Sequence, residues 1–171
     1  MTQILVKKSR SVAIPAEHRA NAAKASWLET ENLLCPGKNS EVFATFPAMN
    51  SRSGILFPAG NVYLRYGIHY GPGAGFGFQH IWKGHFPNTT EHDEAMELVC
   101  RSVARTLVAE AKILYDDKAP AERQHRLTVR RLMIGLVVVE LREFVDSGPF
   151  YSVVTSGFPG KEKGSVIGAL A

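Results

Sequence analysis

The sequence predicts an α+β fold in which helices pack on an antiparallel β-sheet. Residues 127–133, 136–145 and 150–156 are rich in β-branched and aromatic side chains and are separated by turn-forming residues, so we expect a meander of three strands. Before them, apolar residues recur at helical spacing from Met96 to Leu114, as in a helix that places one face on a sheet. With 171 residues and 21% charged residues, the chain has the size and composition of one globular domain.

The N-terminal part is predicted to form a helical extension or arm. Residues 16–34 are rich in alanine and follow Pro15, which the first turn of a helix tolerates. Residues 41–57 are apolar but interrupted by proline and glycine, a pattern typical of short edge strands or an irregular arm. We therefore expect residues 1–50 to be the extension and residues 51–171 to be the main domain, within one compact unit.

The middle of the chain combines a strand, a glycine-rich turn and a short helix. Residues 61–70 alternate and contain valine, tyrosine, leucine and isoleucine, which predicts a strand. Glycine occupies every second position from Gly71 to Gly77, which predicts a turn. We expect a short helix with His80 and His85 to follow.

Charge and cysteine content limit the classes of function. The formal net charge of +4 favours anionic partners such as nucleic acid, acidic proteins or anionic membrane surfaces. Cys35 and Cys100 are too few and too far apart in sequence for a disulfide framework or a cysteine-based zinc site. No apolar run approaches the length of a membrane span, so membrane insertion is not expected. Residues 1–10 lack the apolar core of a signal peptide, so an exported form would depend on a larger parent chain or a secretion system.

Two imidazoles and an ammonium group lie within residues 75–85, next to the glycine-rich turn. In a helix, His80 and Lys83 lie one turn apart on one face, and His85 lies on a neighbouring face. RNA cleavage without a metal ion needs a base for the 2′-hydroxyl, an acid for the leaving 5′-oxygen and a cation or donor for the phosphorane, and these side chains supply all three. The alternative is a structural role for a histidine-rich turn beside an aromatic residue.

The last predicted strand carries several hydroxyl groups. In an extended chain, Tyr151 and Thr155 lie on one face, and Ser152 and Ser156 lie on the other. Hydroxyl groups at the end of a strand can donate to phosphate oxygens. The alternative is a core strand in which tyrosine and threonine are present because they favour β-structure.

Together, these segments resemble the endoribonuclease superfamily of barnase, EndoU, the colicin-type nucleases and RelE, in particular its phage and polymorphic-toxin branches. The resemblance covers residues 55–163 and rests on the order of the elements, on the helix motif H-I-x-x-x-H and on the terminal strand Y-S-V-V-T-S-G-F-P. It implies N-terminal helices packed on an antiparallel β-sheet of about four strands. It also implies a metal-independent endoribonuclease toxin that needs no cofactor.

The resemblance also implies roles for individual residues. His80 would be the principal acid/base residue, and Thr155 would match the hydroxyl of the family's terminal strand. The cationic partner from the sheet is left open among Arg126, Arg130, Arg131 and Arg142. Arg130 and Arg142 are preferred, because each lies within an expected strand rather than at its frayed end. The predicted catalytic residues are His80, Lys83, His85, Thr155, Ser156 and Arg142, and the predicted substrate-binding residues are Arg130, Tyr151 and Trp82.

A metal site is not predicted. His69 and His92 could join His80 and His85 as ligands, because imidazole is a common zinc ligand. Their spacing fits no usual pattern of zinc ligands.

The function implied by the resemblance is cleavage of cellular RNA, with tRNA favoured, by 2′-hydroxyl transesterification to a 2′,3′-cyclic phosphate. Such a domain would act in the cytoplasm of a target cell and would require a cognate immunity protein or antitoxin, acidic enough to cover a basic cleft. One alternative is a non-catalytic module, possibly of phage origin, that binds nucleic acid or protein. Another is a metal-dependent nuclease or phosphotransferase, although neither a paired-carboxylate site nor a complete phosphate loop is visible.

Overall fold

The computed structural model describes residues 21, 26–144, 146–158, 160 and 162–171. These residues form a mainly β architecture, with a curled seven-stranded sheet, two ribbons of two strands each, and two α-helices. The helices are α1 (Gly77–His85) and α2 (His92–Thr106). The strands are β1 (Val42–Phe46), β2 (Met49–Asn50), β3 (Leu56–Phe57), β4 (Gly60–Tyr63), β5 (Ile68–Gly71), β6 (Ala74–Phe76), β7 (Lys112–Tyr115), β8 (Arg126–Arg131), β9 (Gly135–Phe144), β10 (Gly148–Gly157) and β11 (Ser165–Ala169).

The predicted arrangement of N-terminal helices on a sheet of about four antiparallel strands is wrong. In the described part of the chain the main sheet has seven strands in the order β1-β4-β10-β9-β8-β7-β11. It is a mixed sheet, because β4 and β10 are parallel whereas its other neighbouring strands are antiparallel. Both helices lie between β6 and β7, in the middle of the chain.

The N-terminal helix predicted for residues 16–34 can be compared with the structure only in part. Residues 16–20 and 22–25 lie outside the described residues. Residues 26–34 form turns and irregular segments, apart from a single bridge between Asn32 and Arg65. The main sheet also crosses the expected boundary at residue 50, because β1 pairs with β4.

The predicted meander is confirmed by β8, β9 and β10, which pair antiparallel in sequence order. The short helix predicted to carry His80 and His85 is also confirmed as α1. Both predictions depended on glycine and proline residues that indicate turns. Gly148, the first residue of β10, is one example: it has a φ of 74°, a conformation that glycine adopts without strain.

The helix predicted to run from Met96 to Leu114 is shorter than expected. It ends at Thr106, and the chain then turns through Glu110, whose φ is 72°. Residues 112–115 form β7 in the sheet, where three of the four side chains are buried. A short apolar run that is buried on both faces of a sheet has no alternation, so its sequence cannot be distinguished from the last turn of a helix.

The core lies between the helices and the sheet. The two helices pack against each other, α1 contacts β10, and α2 contacts β8 and β9. Among the described residues, no helix is long and apolar enough to cross a membrane. Large buried side chains in this core include Phe78 and Ile81 of α1, Val99 and Val103 of α2, and Val137, Val139, Tyr151 and Val153 of the sheet.

Candidate active site

A cavity of about 350 Å³ is bounded by strands β7 to β10, the β5–β6 hairpin and α1. The sheet contributes Thr128, Val138 and Thr155 to its lining, and α1 contributes His80. The cavity therefore brings His80 and Thr155, two of the predicted catalytic residues, to one space.

A β-bulge in β10 determines which side chains reach this cavity. Val153 pairs with Val139, but the next residue of β9, Val138, pairs with Thr155, so Val154 is an extra residue in β10. A bulge of this kind shifts the alternation of a strand by one residue. Thr155 consequently lines the cavity together with Val138 and Val154.

Ser156 lies on the opposite face of β10 from Thr155. It pairs with Val137 of the core, and its hydroxyl is buried with no hydrogen-bond partner among the described residues. The prediction that Tyr151 and Thr155 share a face is therefore wrong, and Ser156 does not reach the cavity as a catalytic residue would.

His85, at the end of α1, lies beside the hydroxyl of Thr155. Its Nε2 atom is 3.4 Å from Thr155 Oγ1, a long contact of the kind that catalytic groups show before substrate binds. The ring also lies against Gly157, where an added Cβ atom would be 3.5 Å from Cε1 of His85, an ordinary van der Waals contact. The end of β10 and the end of α1 thus place a hydroxyl and an imidazole side by side.

His80 is paired with a second imidazole from the β5–β6 hairpin. The Nδ1 atoms of His80 and His69 are 3.1 Å apart, so one ring donates a proton that the other accepts. Burial lowers the pKa of His80, and the nearby charges of His69, His85 and Arg126 lower it further, while a hydrogen bond to the backbone of Ala74 acts in the opposite direction. Neutral imidazole is the form that can accept a proton, so this environment suits a general base.

Gly75 makes room for the ring of His80. Its φ of 133° is rarely adopted by other residues, and a Cβ atom there would be 3.0 Å from His80 Nδ1. The alternating glycines that predicted a turn therefore also determine how closely the hairpin approaches α1.

Cationic side chains complete the lining of the cavity. Arg123, Arg126 and Lys163 line it together with the carboxylate of Asp116. Arg126 also forms an ion pair with Glu140, with Nε 3.1 Å from Oε2. Across the described ranges, no three His, Cys, Asp or Glu residues lie close enough together to hold a metal ion.

Lys83, Trp82 and Tyr151 do not line the cavity. The Nζ atom of Lys83 lies 3.9 Å from the centroid of the Trp82 ring, in a cation–π contact on the surface of α1. Trp82 is only 9% exposed, and its Nε1 atom donates to the carbonyl of Thr89 over 2.7 Å. Trp82, predicted to bind substrate, is a core residue instead.

Tyr151 was also predicted to bind substrate, but it is fully buried. Its hydroxyl donates to the carbonyl of Pro58 over 2.7 Å, and burial raises its pKa to about 12. Tyr151 therefore packs in the core of the sheet and is closed to a ligand.

The two preferred arginines lie outside the first cavity. Arg130 pairs with Glu162, with Nη1 3.7 Å from Oε2. Arg142 pairs with Glu140, with Nη2 2.8 Å from Oε1, and lines a second, smaller cavity. Arg126, which the sequence did not favour, is the arginine that lines both cavities.

Sequence reasoning missed Arg65, Arg123 and Lys163, and considered His69 only as a metal ligand. For Arg65 a signal was present, because this charge interrupts the apolar and aromatic run of residues 62–66. Buried arginine is rare unless it has a partner, so a charge at such a position indicates a specific role. Arg123 and Lys163 lie in polar segments with no comparable signal.

Comparisons of this chain with protein-family profiles, curated proteins and solved structures found no match. The chemistry that this site can perform is therefore inferred from the side chains in and beside the cavity. Two imidazoles can move protons, the hydroxyl of Thr155 can donate a hydrogen bond, and the cations can stabilise charge on a phosphate.

Proposed function

We propose that this protein is a metal-independent endoribonuclease toxin domain that cleaves RNA, with tRNA as the favoured substrate. The observation that carries the proposal is that His80 and Thr155 line one cavity together with cationic side chains, and that His85 lies beside the hydroxyl of Thr155. A phosphodiester bound there would have proton donors, proton acceptors and positive charge around it.

In the proposed reaction, His80 takes the proton of the 2′-hydroxyl, and the 2′-oxygen attacks the adjacent phosphorus. A bond forms between that oxygen and phosphorus, the bond from phosphorus to the 5′-oxygen breaks, and His85 donates a proton to the leaving oxygen. Thr155 and Arg126 stabilise the charge on the non-bridging oxygens. The products are a 2′,3′-cyclic phosphate and a 5′-hydroxyl.

The proposal includes a protein partner and a place of action. A nuclease that attacks cellular RNA harms the cell that makes it, so a cognate immunity protein or antitoxin is part of the proposal. The cations around the cavity favour an acidic surface on that partner. The domain would act in the cytoplasm of a target cell, delivered as part of a larger toxin or by a secretion system.

The first prediction tests His80 directly. Purified protein is incubated with total tRNA and rRNA in excess EDTA, and the fragment ends are analysed. We expect defined fragments with cyclic phosphate ends from the wild type, and cleavage at least about 100-fold slower from His80→Ala, because a general base typically contributes about 10² to 10⁴ in rate. The matched control is His125→Ala, an exposed histidine that does not line the cavity, and it should cleave normally.

Circular dichroism and thermal unfolding show whether each variant is folded. Normal cleavage by folded His80→Ala would contradict the proposed mechanism. RNA binding by the wild type without any cleavage would favour the non-catalytic module instead. Loss of activity in EDTA that zinc restores would favour metal-dependent chemistry.

A further inference from the structure

A second cavity of about 170 Å³ adjoins the first. Gly75, Arg126 and Val154 line both cavities, so the two spaces share a wall. The second cavity is also lined by Arg65 and Arg142, and neither of them reaches the first.

Arg65 is the unusual residue of this second cavity, because the residue is only 7% exposed. Its Nε atom donates to Ser152 Oγ over 2.8 Å, and its Cζ atom lies 4.4 Å from the centroid of the Phe76 ring. In the described part of the chain, no carboxylate forms an ion pair with it, and its terminal nitrogens have no hydrogen-bond acceptor. Burial lowers the pKa of Arg65 and the charge of Arg142 lowers it further, while the charges of Glu140 and Glu29 raise it.

A buried guanidinium without a carboxylate is costly in free energy. The only carboxylate among the described residues that line this cavity belongs to Glu140, and it already pairs with two other arginines. Its Oε2 atom is 3.1 Å from Arg126 Nε, and its Oε1 atom is 2.8 Å from Arg142 Nη2. Among the described residues, three arginines therefore line this cavity with one carboxylate, and Arg65 is the arginine that forms no ion pair with it.

We propose that the second cavity is a phosphate subsite, in which Arg65 binds the phosphate next to the scissile one in an RNA strand. The planar guanidinium presents its donors in a geometry that matches phosphate oxygens. The shared wall at Arg126 gives one strand a continuous path from one cavity to the other. The identity of the ligand as RNA rests on the proposed function, whereas the anion site itself rests on Arg65.

Tyr70 extends this subsite to a nucleotide. Tyr70 lines the second cavity and is 73% exposed, which is high for a large aromatic residue. Exposed aromatic rings beside phosphate-binding cations are used to stack the bases of single-stranded nucleic acids. The subsite therefore holds a phosphate at Arg65 and a base against Tyr70.

The test uses probes that cannot be cleaved, because they lack the 2′-hydroxyl. Binding of a deoxydinucleoside monophosphate is compared with binding of the same molecule carrying an additional phosphate at its 5′ or its 3′ end. For one of the two ends, we expect the added phosphate to tighten wild-type binding about tenfold at low salt. The slope of log affinity against log salt should become steeper by about 0.7, as for one further contact to a single-stranded phosphate.

In Arg65→Met, the added phosphate should no longer tighten binding, because methionine keeps an apolar stem but removes the charge. The matched control is Arg52→Met, an exposed arginine in the turn between β2 and β3, which should keep the gain. In Glu140→Gln, the added phosphate should tighten binding more than in the wild type, because Arg126 and Arg142 are then released from their carboxylate partner. An unspecific basic surface would not distinguish Arg65 from Arg52.

If the added phosphate tightens binding to folded Arg65→Met as much as to the wild type, the proposed phosphate subsite is wrong. If Arg65→Met does not fold, the exposed Arg142→Met and Glu140→Gln decide the question, and an unchanged gain in both overturns it. Failure of the proposed function is separate, because wild-type protein that binds the second phosphate but never cleaves RNA would remove the nuclease and leave the subsite.

Discussion

Two neighbouring hydroxyl groups of β10 lie in different environments. Thr155 lines the cavity beside His85, whereas Ser156 is buried without a hydrogen-bond partner among the described residues. Strict alternation along β10 would place Thr155 in the core with Tyr151 and would place Ser156 on the opposite face. The bulge at Val154 exchanges these two positions. Nothing in the sequence marks the bulge, because Val153 and Val154 are both β-branched and no glycine is present.

A pair of substitutions tests this assignment. Thr155→Val should lower kcat/KM on tRNA at least about tenfold, because it removes a hydrogen bond to a charged oxygen worth about 1.5 to 3 kcal/mol. Ser156→Ala should keep full activity, and its free energy of unfolding should be equal to or higher than that of the wild type, because the buried hydroxyl is unbonded. Activity is measured by tRNA cleavage and stability by urea unfolding. Equal losses of activity in both variants would refute the assignment.

Residue types and local spacing predicted part of the candidate site. The helix motif placed His80 and His85 on one short helix, and the terminal strand supplied Thr155. The charge of Arg65 within an apolar run was a signal, but its contact with Ser152 was not predictable, because that contact depends on the parallel pairing of β4 with β10. Pairing between strands that are distant in sequence leaves no local pattern in either of them.

The contact between α2 and β9 is set by one small residue. Gly135 opens β9, and a Cβ atom at this position would overlap Oγ1 of Thr106, the last residue of α2. That hydroxyl also donates to the carbonyl of Ser102 over 3.2 Å, so it is already held in place. The end of the helix and the start of the strand therefore determine each other's position.

A double-mutant cycle tests this contact. Gly135→Ala should lower the free energy of unfolding by about 1 to 3 kcal/mol, the usual cost of overpacking. Adding Thr106→Ala removes the overlapping atom and should recover most of that loss, with a coupling energy of at least about 1 kcal/mol. Urea unfolding of the wild type, both single variants and the double variant gives the four values. Additive effects would show that the two elements have room for the methyl group.

Among the elements, those with turn residues at both ends were predicted best. The meander and α1 have glycine or proline near their ends, whereas β7 and β11 do not have such a signal at each end. The residues of β7 continue the helical spacing of α2, and β11 is a short segment that contains glycine and alanine. Both are strands because of long-range pairing: β7 pairs with β8 and β11, and β11 pairs with β7, at the side of the sheet far from β4.

For the molecule as a whole, the pKa of His80 links stability to pH. Its folded-state pKa lies below the ordinary value of about 6.5, because burial and the charges of His69, His85 and Arg126 disfavour its protonation. Below pH 6.5 the unfolded chain therefore binds more protons at this residue than the folded protein does. The stability that is present above pH 6.5 is lost as the pH falls toward the folded-state pKa.

Replacing His80 should reduce this pH dependence. Between pH 7.5 and about pH 5.5, the free energy of unfolding should fall more for the wild type than for His80→Gln, whose side chain does not titrate. Urea unfolding at half-unit pH steps provides the comparison. Parallel curves for the two proteins would show that His80 titrates alike in the folded and unfolded states.

The parallel contact between β4 and β10 joins an early segment of the described chain to a late one. His80 is translated long before Thr155, and Arg65 is translated before its partner Ser152. A nascent polypeptide that has not yet released β10 from the ribosome thus carries one wall of each cavity and lacks the other. Under the proposed function, RNA cleavage therefore requires that β10 has been synthesised and has paired with β4.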